Sequence, residues 1–135
     1  MTIRARNRTI VGALIVGAVA LAASLLPMLA SPADGDGIRE IRLVVRDMTF
    51  YLDGGKDPNP TIALRGGELV RITLRNEDAG MRHDFAVKAW AVGTKVLEAR
   101  GAEDAVVFRA PLEKGTETYH CTPHSAMMRG VLRIE

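Results

Sequence analysis

Apolar positions fall into two regimes along this chain. From Ile10 to Leu26, 17 residues carry no charge and one polar side chain, Ser24. After Gly37 the apolar residues come instead in short runs that alternate with polar ones. The first regime has no polar face to meet water, so it does not suit a surface helix of a globular domain. Extended through Ala30, across Pro27, it is 21 residues long, close to what a membrane-spanning helix needs. Arg4, Arg6 and Arg8 precede it, which makes it an export signal by charge and polarity. Two fates are open: a retained anchor, or a signal cleaved near Ser31-Pro32-Ala33, with the length favouring the anchor. In either case the arginines stay in the cytoplasm and the rest of the chain lies outside. Residues 1–30 are thus the signal or anchor and 31–37 a linker, leaving one domain over 38–135.

Within that domain the alternation predicts strands. Ile41, Leu43 and Val45 alternate with Arg42 and Arg46, and Met48 and Phe50 continue the inner face, so 38–52 is taken as one strand. DGGKDPNP, 53–60, is a loop, and 61–64 a short strand. Gly66-Gly67 signals a hairpin turn. Val70, Ile72 and Leu74 against Arg71, Thr73 and Arg75 make the clearest strand of all. Further strands are expected around Phe85 and Val87, over 105–110, over 117–121 and over 131–135, with 94–103 fitting a helical turn or an irregular crossover equally. Some seven short strands with turns between them, and no sustained helical period after Ala33, predict an all-β Greek-key sandwich preceded by the N-terminal hydrophobic helix.

Composition changes this picture little. Aromatics are 4% of the residues, so aliphatic side chains must fill the core, and Trp90, the sole tryptophan, is expected there. The net charge is +2, but removing the three N-terminal arginines leaves 15 basic against 16 acidic residues, a net of −1. With no basic patch interleaved with aromatics, a nucleic-acid partner is set aside.

The chemistry is concentrated in YHCTPHSAMMRG, Tyr119 to Gly130. This stretch holds the only cysteine, Cys121, together with His120, His124, Met127 and Met128. A lone cysteine in an exported chain makes no internal disulfide, so it is a free thiol or a metal ligand. Thiolate, thioether and imidazole form the donor set that suits copper, and two His, one Cys and a weak axial Met make a blue-copper site. Along a strand side chains alternate, so His120 points away from the face that Cys121 occupies. Cys121 and His124 therefore remain, with Met128 or Met127 as the thioether. His83, 38 residues before the cysteine, supplies the second imidazole.

The same residues resemble the copper loop of the cupredoxins, the small blue copper proteins. Tyr-His-Cys-Thr-Pro-His is similar to amicyanin and pseudoazurin, and the continuation to Met128-Arg129-Gly130 is similar to azurin. The run from Leu64 to Asn76 and His83-Asp84-Phe85-Ala86-Val87 also fit, so the resemblance covers 38–135. It implies His83, Cys121, His124 and Met128 as ligands of one type 1 copper ion. Met127 is the alternative axial ligand if the amicyanin spacing applies. One departure stands out: family members commonly carry Asn after the first histidine, where it ties the two ligand loops together, and this chain has Asp84. A carboxylate there can accept a bond from the other loop and stabilise oxidised copper; alternatively it is a surface group beside Arg82.

Four protein ligands leave no open position for a substrate, unlike catalytic metal sites. The resemblance therefore implies a one-electron carrier rather than an enzyme, exchanging electrons with transient protein partners outside the cytoplasmic membrane. His124 would reach the surface inside an apolar rim of Pro123, Ala126 and Met127, with Met81 beside it. The competing class is an exported copper carrier that delivers the metal itself.

Overall fold

A computed structural model describes residues 37–135. The expected signal or anchor, 1–30, and most of the linker lie outside the described residues.

Among the described residues nine strands form, and alternation decides which side of each meets the core. β1 (Arg39–Arg46), β2 (Thr49–Leu52), β4 (Leu69–Asn76) and β7 (Glu103–Arg109) make one sheet in the order β2-β1-β4-β7. β3 (Ile62–Leu64), β5 (Ala86–Val87), β6 (Val92–Gly93), β8 (Gly115–His120) and β9 (Arg129–Ile134) make the other, in the order β3-β9-β8-β5-β6. β1 pairs β4 in parallel and β3 pairs β9 in parallel, while the remaining pairs are antiparallel. The inner faces share one core. Leu43, Val45, Phe50, Val70, Ile72 and Leu74 come from the first sheet, and Leu64, Val87, Tyr119 and Leu132 from the second. Each such side chain, fully removed from water, contributes about 1.5–3 kcal/mol. Trp90 is partly buried against this core, its ring 5.8 Å from Phe108. Among the described residues no helix is long and apolar enough to cross a membrane.

Three expectations are corrected. The stretch 38–52 is a hairpin, not one strand: Asp47 and Met48 both take positive φ, 50° and 58°, and β2 folds back on β1. Two successive left-handed residues match the right-handed twist of the flanking strands, which is why hairpins favour such turns. Non-glycine residues seldom adopt this conformation, so alternation alone conceals it. Gly66-Gly67 is a crossing between the sheets, because β3 belongs to one and β4 to the other. Gly67 has φ 77° and its N–H donates to carbonyls of Ala110 and Pro111, a backbone requirement rather than a hairpin. Around Phe85 the strand is two residues long and runs straight into a 3-10 turn, Lys88–Trp90. The ambiguous stretch 94–103 is an irregular connection pinned by the His83–Leu97 bridge.

Tyr119 fills the middle of the sandwich. Its ring lies 5.3 Å from Phe50 edge-on and 5.4 Å from Phe85 in a stack, contacts worth about 0.5–1.5 kcal/mol each beyond burial. Its hydroxyl donates to the Pro60 carbonyl at 2.7 Å. Directly across the ladder is Gly130. A Cβ at Gly130 would sit 2.2 Å from the Tyr119 ring, so the ring occupies the space a side chain would need.

Candidate metal centre

At one end of the sandwich, two loops bring the chemistry together. The first joins β4 to β5 and carries His83 and Asp84. The second joins β8 to β9 and carries Cys121, His124 and Met128. β8 delivers Cys121 inward by the same alternation that buries Tyr119 and leaves His120 half-exposed, outside the cluster. Thr122–His124 then forms a 3-10 turn with Pro123 inside it. The turn is closed by N–H donation from His124 to the Cys121 carbonyl at 3.1 Å and from Met128 to the His124 carbonyl at 3.0 Å. The Cys121 N–H donates back to the Met128 carbonyl at 3.0 Å. These bonds hold the loop as a ring, so its side chains approach one point with little freedom.

The Sγ of Cys121 lies 3.5 Å from Nδ1 of His124 and 3.7 Å from Nδ1 of His83. All three donor atoms lie within 4.8 Å of one another. Cys121 and His83 are wholly buried, and His124 is half-buried. The two imidazole rings sit 5.1 Å apart. Met128 is fully buried next to this group, whereas Met127 is 62% exposed. A thiol, two imidazoles whose Nδ1 atoms face it and a buried thioether beside them form the soft donor set that fits copper.

Burial keeps the donor groups of Cys121 and His83 uncharged in the metal-free chain. Burial pushes the Cys121 thiol up; the N–H of Asp84 pulls it down and the Asp84 carboxylate pushes it up again, leaving it above the ordinary thiol. In the metal-free chain the sulfur therefore keeps its proton, which a metal must displace. Burial likewise pulls His83 down, against the pull of Asp78, and keeps the ring neutral and able to coordinate.

Asp84 is not a surface group. It is buried, and its Oδ1 accepts the Thr122 N–H at 2.5 Å; Arg82 is exposed and faces Glu98 instead. The carboxylate thus ties the two loops together. Asn76 and Asp78 were not singled out from the sequence. Asn76 is fully buried, and its amide donates to the carbonyls of Met81 and Leu97 at 2.8 and 3.2 Å, shaping the loop that delivers His83. A signal existed: position 76 continues the inward phase of Val70, Ile72 and Leu74.

Comparison with known proteins agrees with this geometry. The profile of the family described as copper binding proteins, plastocyanin/azurin family, matches residues 66–135, just over half of the chain. The chain is 34% identical over 102 residues to plastocyanin from Dryopteris crassirhizoma, covering 67% of this chain and 92% of that protein. In fold it is similar to rusticyanin from Thiobacillus ferrooxidans, with 20% identity, a TM-score of 0.55, and coverage of 75% and 83% of the two chains. It is likewise similar to auracyanin B, with 22% identity, a TM-score of 0.53, and coverage of 73% and 88%. The profile match and the plastocyanin identity, together with the donor set at the sandwich end, place the chain: it belongs to the plastocyanin/azurin family of copper-binding proteins, the cupredoxins.

Proposed function

We propose that the chain is a one-electron carrier that holds a single type 1 copper ion through His83 Nδ1, Cys121 Sγ, His124 Nδ1 and the thioether of Met128. One observation carries the reading: the Cys121 thiol and the Nδ1 atoms of His83 and His124 converge within 4.8 Å, two of the three on one loop closed by backbone hydrogen bonds. Copper bound there supplies exchange between Cu(I) and Cu(II). The chain's part is to hold the donors still in both states, which keeps reorganisation small. Burial of Met128 and exposure of Met127 support Met128 as the axial donor.

His124 is the route to the surface. It is half-buried amid exposed Pro123, Ala126 and Met127, and Met81 is exposed as well. Such a rim suits brief docking of a redox partner, since transient electron-transfer contacts bury little area. The site works outside the cytoplasmic membrane, held there by residues 10–30 or released after cleavage near Ala33. The donor set fills the coordination sphere, which argues against an enzyme.

The test is the optical and spin-resonance spectrum of the copper-loaded chain. The expected result is an intense thiolate-to-copper band that disappears in Cys121→Ser, with reversible cycling and slow loss of copper to a mild chelator. Absence of the band in the parent chain would end the reading. Rapid loss of copper without clean cycling would make it a delivery protein instead.

A further inference from the structure

Behind His83, on the side away from Cys121, stands a carboxylate that the copper reading does not use. Asp78 Oδ2 lies 3.0 Å from His83 Nε2. The same carboxylate accepts two backbone N–H groups, that of Asp47 on Oδ1 at 2.7 Å and that of Met48 on Oδ2 at 3.0 Å. These are the two positive-φ residues of the β1–β2 turn. Successive N–H groups in such a turn form a concave anion site, and Asp78 fills it from another loop. From the other side, the Asp78 N–H donates to Asn76 Oδ1 at 2.9 Å, and Asn76 is itself fully buried. The carboxylate is therefore fixed by β4 on one side and by the hairpin turn on the other, and it is largely shielded, with 13% side-chain exposure.

We propose that Asp78 is the positioning residue of the metal centre: it takes the Nε2 proton of His83 in a hydrogen bond and so turns the Nδ1 lone pair toward Cys121. An ionised carboxylate only accepts, and a neutral imidazole carries one donor and one acceptor nitrogen. With Nε2 committed as donor, Nδ1 is the acceptor, and it lies 3.7 Å from the cysteine sulfur. A carboxylate behind a ligating imidazole also raises its basicity, and such partners affect metal affinity strongly. Its negative charge favours the more positive ion, so it acts more on Cu(II) than on Cu(I). The β1–β2 turn is thereby part of the centre, since its strained conformation holds Asp78. This inference rests on His83 being a ligand.

The experiment has two arms on the full chain. In the first, ring nitrogen resonances of metal-free parent protein give the His83 tautomer. Nε2–H is expected, and Nδ1–H would overturn the proposal whether or not copper binds. In the second, Asp78→Asn is titrated with Cu(II) and with Cu(I) against competing chelators. Cu(II) affinity is expected to fall about 10- to 100-fold, with Cu(I) affinity falling less. Unchanged affinities, or equal losses for both ions as from a merely loosened fold, would overturn it. If Asp78→Asn does not fold, the tautomer arm decides alone. A parent chain that shows Nε2–H but lacks the thiolate–copper band would sink the copper reading and leave the hydrogen bond standing.

Discussion

Asp84 Oδ1 accepts the backbone N–H of Thr122 at 2.5 Å, joining the loop of His83 to the loop of Cys121. Thirty-eight residues separate the two partners, yet the bond makes one rigid unit of two ligand loops. An amide at position 84 could accept the same bond through its oxygen. What the carboxylate adds is charge, in a buried place beside the cysteine sulfur.

That charge should stabilise the oxidised, more positive ion if copper is bound there. Asp84→Asn is expected to raise the reduction potential by about 60 mV, the one-electron equivalent of a tenfold or ~1.4 kcal/mol change. Voltammetry on the copper-loaded chain checks it; an unchanged or lower potential contradicts the argument.

The thioethers should separate cleanly. Removing a weak donor disfavours the oxidised ion, so Met128→Leu should raise the potential by about 60–120 mV, using the same conversion. Met127→Leu, at an exposed position, should leave the potential and the spectrum unchanged. A reversed pattern in paired voltammograms would transfer the axial role to Met127.

Acid should weaken the metal-free chain in two stages. His83 is held below its ordinary value, chiefly by burial, so the unfolded chain takes up that proton first. Stability from this group is whole above about pH 6.5, the unfolded value, and is lost as pH falls toward the folded one. Burial opposes ionisation of Asp78, but the N–H groups of Met48 and Asp47 and the His83 ring outweigh it and set the carboxyl below its usual range. Its contribution is present above about pH 4 and is lost as pH falls through the lower folded value. Each proton gives a slope of up to about 1.4 kcal/mol per pH unit. Denaturant unfolding at a series of pH values should show both limbs, and His83→Gln should remove the first. Stability that is flat from pH 7 to 5 would contradict the assignment.

Gly130→Ala should be disruptive although it adds one methyl group. The new Cβ would meet the Tyr119 ring, and that ring is held by Phe50, Phe85 and the Pro60 carbonyl. Overpacking of this kind costs about 1–3 kcal/mol. Thermal unfolding measures the loss; replacing the ring by the smaller aliphatic side chain of Tyr119→Leu should make room for the alanine and reduce the additional penalty, and full penalties in both backgrounds would count against the steric account.

Much of the fold was legible because β structure writes itself as alternation wherever one face is buried. Val70, Ile72 and Leu74 in β4, and Tyr119 and Cys121 at the end of β8, needed nothing more. The donor set was legible because soft ligands are few and crowded into one loop: the chain has a single cysteine, and His124 and Met128 lie three and seven residues beyond it. The break in 38–52 was not legible, because Asp47 and Met48 take positive φ without the glycine that usually marks such a turn. The crossing at Gly66-Gly67 was not legible either, because a turn signal says that the chain bends and not which sheet it joins.

The sequence by itself thus determined the sandwich, the copper chemistry and the set of ligand candidates, since these follow from local periodicity and from donor types. Only the tertiary structure decided what stands behind them. It buried Met128 and exposed Met127, turned Asp84 into a tie between loops, and set Asp78 between His83 and a hairpin turn 30 residues away. Those relations depend on distances across the fold, and through-space hydrogen bonds leave no period along the chain.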